Sequence, residues 1–372
     1  MTTSSNLDIM RSSAVLAVFV AHVTHCVGGP EHAAYTFVEA IGRFGVILFF
    51  LHTSLVLMLS MDRTALEPAF VARFYVRRAF RIYPLSILAV TATFVLRLPP
   101  NAWSRLHYDP IGISQLVSNL LLVQNLTQRP PVLSPLWSLP LEVQMYAVLP
   151  FLFLLVRFGN WRLRLLTCLG IAVSSAWVVW GLTGKLNIFA FIPCFLAGVM
   201  AYKRAGRKRT LPAWIWVVLI PGMLLSVSAL PFYERHFLRP ISICTEWAAV
   251  WALGFAWSKF SDVSWEPVVR VAAQVAKYSY GIYLAHTYAF YICFAKFKTS
   301  PAIGVFLATL ITAAMAVLAY HLVEQPLINV GKRVAAHIGG SWSGLIPVPQ
   351  IADDKGSRLR SRRSGAANPP DR

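Results

Sequence analysis

The chain has 372 residues, of which 57% are hydrophobic and 13% charged, with a mean hydropathy of +0.59. No soluble domain of this length is so apolar, and the apolar residues recur in runs of membrane-spanning length, which excludes a water-soluble globular fold. The formal net charge of +19 raises nucleic acid as a partner, but the lysines and arginines gather in alternate connecting segments and in the tail. That is the positive-inside arrangement of a multi-span membrane protein, so no nucleic acid is expected.

Apolar spans are predicted near residues 9–27, 42–60, 82–98, 139–156, 165–182, 187–202, 212–230, 241–257, 279–297 and 302–320. The first is not read as a cleaved signal: it has one basic residue before its apolar run, no convincing small-x-small site at Cys26-Val27-Gly28, and further spans follow at once. It carries Asp8, Arg11, His22 and His25. At about 100° per residue, Arg11 and His22 share one helical stripe, about 16 Å apart along the axis. Asp8 and His25 lie close to the same stripe. Ionisable groups inside a membrane helix mark a functional path or a buried pairing. Taken alone, this helix leaves open a plainer assignment, with Asp8 and Arg11 at the surface and His22 as a packing histidine.

After the second span comes ARFYVRRAFRIYPLS, where Arg73, Arg77 and Arg81 follow at i+4 and Arg78 and Arg81 at i+3. Positive-inside topology alone calls for basic residues there. The density of guanidinium groups suits bidentate binding of phosphate, whether from lipid headgroups or from a nucleotide-like diphosphate. Pro84 bends or starts the third span.

The stretch at 111–126 is apolar but short and amide-rich. Counted as a span it would put Arg157, Arg162 and Arg164 outside, so it reads as a short re-entrant segment. The fourth span holds Glu142 with Tyr146 at i+4. A buried carboxylate needs a cation or donors, here from Arg11, His22 or the Arg78/Arg81 stripe, and a purely structural Glu–Arg lock is the alternative. The ninth span pairs Tyr283 with His286, either a packing or a catalytic histidine. Glu324 before Gln325-Pro326 reads as a structural helix-end carboxylate facing nearby arginines.

The fold class is therefore all-α, a polytopic membrane protein of about ten transmembrane helices plus the re-entrant segment, with both termini cytoplasmic. Residues 1–335 form one transmembrane domain and 336–372 an Arg-rich, disordered tail that rests on anionic lipid. Cys26, Cys168, Cys194, Cys244 and Cys293 are scattered singly and read as packing residues; no metal site is expected.

Taken together, the motifs resemble the acyltransferase-3 family of bacterial integral-membrane acyltransferases. The resemblance runs through Arg11 and His22, Gly-Val-x-Leu-Phe-Phe at 45–50, Arg-x-x-Arg-Ile-x-Pro at 78–84, Trp-Ser-Leu-x-x-Glu from Trp137, Ser-Tyr-x-x-Tyr-Leu-x-His ending at His286, and 323–326. Each motif alone is weak; their order over about 320 residues carries the signal. It implies ten core spans in a bacterial inner membrane and transfer of an acyl group, acetyl by default, from acyl-CoA at the cytoplasmic side. The acceptor it implies is a hydroxyl of a carbohydrate or a glycosylated small molecule.

By the resemblance, Arg11 and His22 fall on the family's essential pair, Arg78 and Arg81 on its paired arginines, and Glu142 on its buried Glu. Arg77 joins Arg78 and Arg81 as a candidate for the CoA phosphates. Arg11 is expected to be held by Asp8 or Glu142, with His22 as general base. Pro140, Val143, His52 and Thr53 depart from the pattern, which marks His52 as a specificity candidate. A proton-coupled transporter or flippase of a glycan or anionic substrate is the competing class.

Overall fold

The computed structural model describes residues 4–28, 35–99, 110–183, 188–206, 209–233 and 239–340. Twelve helices follow in chain order: α1 (Ser5–Gly28), α2 (Tyr35–Asp62), α3 (Phe70–Val95), α4 (Ile113–Leu120), α5 (Leu139–Arg157), α6 (Trp161–Thr183), α7 (Ile188–Arg204), α8 (Ala213–Tyr233), α9 (Arg239–Trp257), α10 (Glu266–Phe290), α11 (Pro301–Ala319) and α12 (Gln325–Gly340). Among the described residues there is no strand, only an isolated bridge between Leu211 and Phe260. Six helical stretches are long and apolar enough to cross a bilayer: α1, α2, α3, α5 with the turn before it, α6, and the continuous run from α11 into α12. Each of the ten expected spans overlaps a helix.

Three boundaries differ from expectation. Helix α3 starts at Phe70 and not near residue 82, so the whole arginine run is helical and Pro84 sits inside the helix. The 111–126 stretch is an eight-residue helix, α4, followed by turns. Its end descends beside the middle of α3, where Tyr83 Oη donates to the Leu121 carbonyl at 3.2 Å. At the C-terminus, α12 continues to Gly340, through residues assigned to the tail; the rest of that tail lies outside the described residues.

The core is built around α2, whose Phe44, Ile47, Leu48, Leu51, Leu55 and Met58 are fully buried. Without a hydrophobic force between helices in lipid, close approach has to come from small side chains. A Cβ added at Gly45 would lie 2.7 Å from the Ala14 carbonyl oxygen of α1. At Gly198 of α7 it would lie 1.9 Å from Ser54 Oγ and 2.4 Å from the Leu51 carbonyl oxygen of α2. Helices α6 and α11 sit at the periphery and turn Leu163, Leu166, Ile171, Phe306 and Leu310 outward, as lipid-facing helices do.

Polar ties set the register at the ends. Asn6 donates to the Ser261 carbonyl and accepts from the Val263 amide, fastening the start of α1 to the segment before α10. Arg157 and Tyr202 both donate to Asp62 Oδ1, joining the ends of α5, α7 and α2.

Because backbone atoms of α2 block the Gly198 site, Gly198→Ala is expected to cost about 1–3 kcal/mol through overpacking. Gly222→Ala in α8, where nothing lies within 4 Å, is expected to be neutral or to stabilise by up to about 1 kcal/mol. Thermal unfolding of the purified variants in detergent separates the two.

Candidate active site

Helix α1 lies between α2 and α10, and that placement decides what its ionisable groups can reach. Arg11 Nε donates to Ser279 Oγ of α10 at 2.7 Å, and the Ser279 hydroxyl donates in turn to the Ala276 carbonyl. The Arg11 guanidinium also lies 5.6 Å from the Phe49 ring centroid of α2. Neither Asp8 nor Glu142 comes within 4.0 Å of Arg11 as an ion pair among the described residues. A hydroxyl on α10 therefore holds Arg11 where a carboxylate was expected.

The arginine run of α3 divides. Arg78 and Arg81, three apart, share the inward face and line a cavity with Arg11. Arg73 turns to Glu67 at 2.7 Å, and Arg77, about 100° round from Arg78, stays out of the cavity. The stripe drawn through Arg73, Arg77 and Arg81 is thus not one binding surface. Arg81 Nη1 donates to Glu324 Oε2 at 2.5 Å, and its guanidinium sits 5.8 Å from the Tyr280 ring centroid. Glu324 is 1% exposed and comes from a π-helical turn, Tyr320–Glu324, between α11 and α12. Such an inserted turn re-aims a side chain that regular spacing would send elsewhere.

Glu142 stands in the first turn of α5, which begins beside the middle of α3. Its Oε1 accepts a short hydrogen bond from Tyr146 Oη, and Thr53 Oγ1 lies 3.5 Å from the same oxygen. Arg78 packs beside both Glu142 and Tyr146. The carboxylate thus bonds to a hydroxyl inside a ring of guanidinium groups and is not neutralised by one of them.

Arg11, Arg78, Arg81, Glu142, Tyr146, His52 and Tyr283 line a partly open cavity, with Val46, Phe49 and Phe50 supplying apolar wall. Three guanidinium groups line it, one of them, Arg81, already paired with Glu324, and planar guanidinium groups suit phosphate oxygens. His52 is 3% exposed, and its Nδ1 has no hydrogen-bond partner.

His22 and His286 lie outside the lining of this cavity. They form a pair of their own: His22 Nδ1 and His286 Nε2 are 2.6 Å apart, with the rings stacked at 4.9 Å. Tyr283 lines the cavity, and its ring centroid is 6.3 Å from that of His286, so one aromatic ring stands between cavity and pair. Its hydroxyl donates to the Pro135 carbonyl at 2.6 Å and accepts from Ser138. His25 packs against the Tyr35 ring at 4.2 Å, Trp137 packs on Phe191 at 5.7 Å, and Asp8 is half-buried away from the cavity. Ser279, Tyr280 and Ser138, which the sequence offered only as motif positions without a role, belong to the site. Ser279, Tyr283 and His286 follow at i, i+4 and i+7, a one-face signal on α10 that could have found Ser279.

Leucine matches histidine in bulk and carries no polar atom, so His52→Leu removes an unsatisfied buried nitrogen. It is expected to raise stability by about 1–3 kcal/mol, read as an upward shift in the thermal midpoint. A fall would show that the nitrogen has a partner.

A family model described as an acyltransferase domain matches residues 4–321, which takes in every residue of the cavity and of the histidine pair. None of the curated proteins and none of the solved structures compared with the chain matches it.

Proposed function

The chain belongs to the acyltransferase-3 family, and from that premise we propose that it moves an acyl group from acyl-CoA to a hydroxyl of a carbohydrate or glycosylated small molecule. Acetyl is the default donor group. In this reading all ten apolar segments cross a bacterial inner membrane, with both termini and the basic segments on the cytoplasmic side.

The observation that carries the proposal is the cationic cavity sunk in an apolar bundle, with His22 on the same helix as one of its arginines. Arg78 and Arg81 would take the phosphates of the donor as it enters from the cytoplasmic side. Arg11, held by Ser279, would take a further oxygen deeper in. The pantetheine arm is of the same order of length as the roughly 16 Å from Arg11 to His22, so the thioester would pass Tyr283 and end near the imidazole. Glu142, bonded to Tyr146, would keep the cavity's excess charge low enough to release product.

His22 would then act as general base. As the acceptor oxygen attacks the thioester carbonyl, the O–C bond forms and the hydroxyl proton passes to His22. The C–S bond breaks, and the same proton leaves on the CoA sulfur. A transporter reading draws on the same intramembrane charges, but no observation favours it over the enzyme.

Purified protein in detergent is expected to release CoA thiol from acetyl-CoA. His22→Ala should lower that rate by about 10²–10⁴-fold with the protein still monodisperse. Arg78→Gln and Arg81→Gln should each raise the KM for acetyl-CoA by about tenfold or more, the loss of a charge-assisted hydrogen bond. Full activity in His22→Ala would refute the base assignment, and unchanged KM in the double variant would refute the phosphate role.

A further inference from the structure

We infer that His286 is a positioning residue that fixes which nitrogen of His22 carries a proton and so makes His22 Nε2 the basic atom. The inference rests on the acyl-transfer reading above and adds a residue to its chemistry.

The argument starts at a backbone carbonyl. His286 Nδ1 lies 3.0 Å from the carbonyl oxygen of Ile282, one helical turn earlier. A carbonyl only accepts, so His286 Nδ1 carries the hydrogen. In a neutral ring its Nε2 is then the lone-pair nitrogen. That nitrogen lies 2.6 Å from His22 Nδ1, and two lone pairs do not face each other at that distance. His22 Nδ1 is therefore the donor, and the lone pair of neutral His22 falls on Nε2.

The chain of bonds runs one way, from His22 through His286 to the Ile282 carbonyl, and nothing in it can reverse while both rings stay neutral. Its surroundings hold it in place. His286 is 1% exposed, with Phe19 at 6.3 Å on one side and Phe290 at 5.3 Å on another. Among the described residues, the ionisable groups acting on His22 are His286 from α10 and His25 from its own helix.

In the transfer step His22 Nε2 takes the acceptor's proton, and the resulting imidazolium donates from Nδ1 to His286 Nε2. The positive charge is thus met by an acceptor in a region where water is scarce. When the C–S bond breaks, the proton on Nε2 goes to sulfur and both rings return to their starting forms. The number of protons on the pair is the same before and after.

The test uses the full chain in lipid nanodiscs with acetyl-CoA as donor, reading CoA thiol release from pH 5 to 9. Phenylalanine at 286 removes the acceptor; glutamine can still accept from His22 Nδ1 through its amide oxygen. His286→Phe should lower turnover by about 10–100-fold, the usual loss for an orienting partner, with the KM for acetyl-CoA within about twofold of the parent. Its pH profile should differ from the parent's, because His22 loses the acceptor that meets its imidazolium. His286→Gln should restore turnover to within about tenfold. Independently of activity, ¹⁵N NMR of histidine-labelled protein, assigned against His22→Ala, should show neutral His22 protonated at Nδ1.

Wild-type turnover and pH profile in His286→Phe would overturn the inference. So would a folded His286→Gln as inactive as the phenylalanine variant, or a neutral His22 protonated at Nε2. If His22→Ala itself keeps activity, the acyl-transfer assignment of His22 fails first. If that variant is dead while His286→Phe is normal, only the positioning role falls.

Discussion

The structure depends on a double fastening between α1 and α10. Arg11 bonds Ser279 near one end, and His22 bonds His286 toward the other. Neither contact would be worth much on a wet surface. Inside an apolar bundle each matters more, because an ionisable or amphoteric side chain without a partner is costly there. The two helices run in the same direction, so the two bonds act as a register: sliding α10 by one residue along α1 would break both. Small residues on α2 let the pair sit close to the core, and the cavity opens where α3 and α5 complete the wall.

Charge is then distributed by an economy of partners. Arg81 has a buried carboxylate, Glu324, behind it, while Arg11 meets the Ser279 hydroxyl and the Phe49 face, and Arg78 the Tyr146 hydroxyl beside Glu142. Glu142 bonds to Tyr146 and not to a guanidinium. Had each cation been paired in place, the site would be a closed ionic lock, satisfied and inert. Donors left turned toward open space are what an incoming polyanion needs. The second buried carboxylate, Glu246, marks the contrast: it meets Arg43 through two nitrogens, at 2.6 and 2.7 Å, and joins α2 to α9. That pair joins two helices as a direct ion pair, with the carboxylate buried.

Helix positions were legible in the sequence because apolar run length is dictated by the bilayer. That Arg11 and His22 share one helix was legible too, and spacing alone sets their separation along it. What stayed hidden was every relation between helices. Arg77 and Arg78 look equivalent in the chain, and only the packing of α3 shows that one faces inward. Expectation placed a carboxylate on Arg11, since Asp8 is its neighbour at i+3, but the bundle brings Ser279 from 268 residues away. Glu324 was readable as an arginine partner; that its partner is Arg81, 243 residues earlier, was not. The π-helical turn that aims it is a local departure from 3.6-residue periodicity, and a periodicity argument cannot see it.

The departures from the family pattern also acquire a physical setting. His52, Thr53 and Ser54 occupy consecutive positions of α2 and therefore point three ways. His52 faces the cavity, Thr53 reaches toward Glu142, and Ser54 turns back to bond the Phe50 and Leu51 carbonyls of its own helix. Ser54, which is not one of those departures, fits because Gly198 of α7 leaves room for it. Thr53 adds a hydroxyl to a carboxylate that already has one. Of the three, His52 brings a polar atom that has no partner in the protein, at the wall of the cavity. A buried group unsatisfied by its own fold is a cost that evolution removes cheaply with an aliphatic residue. His52 stands in the cavity wall with Arg11 and Glu142, apart from the histidine pair.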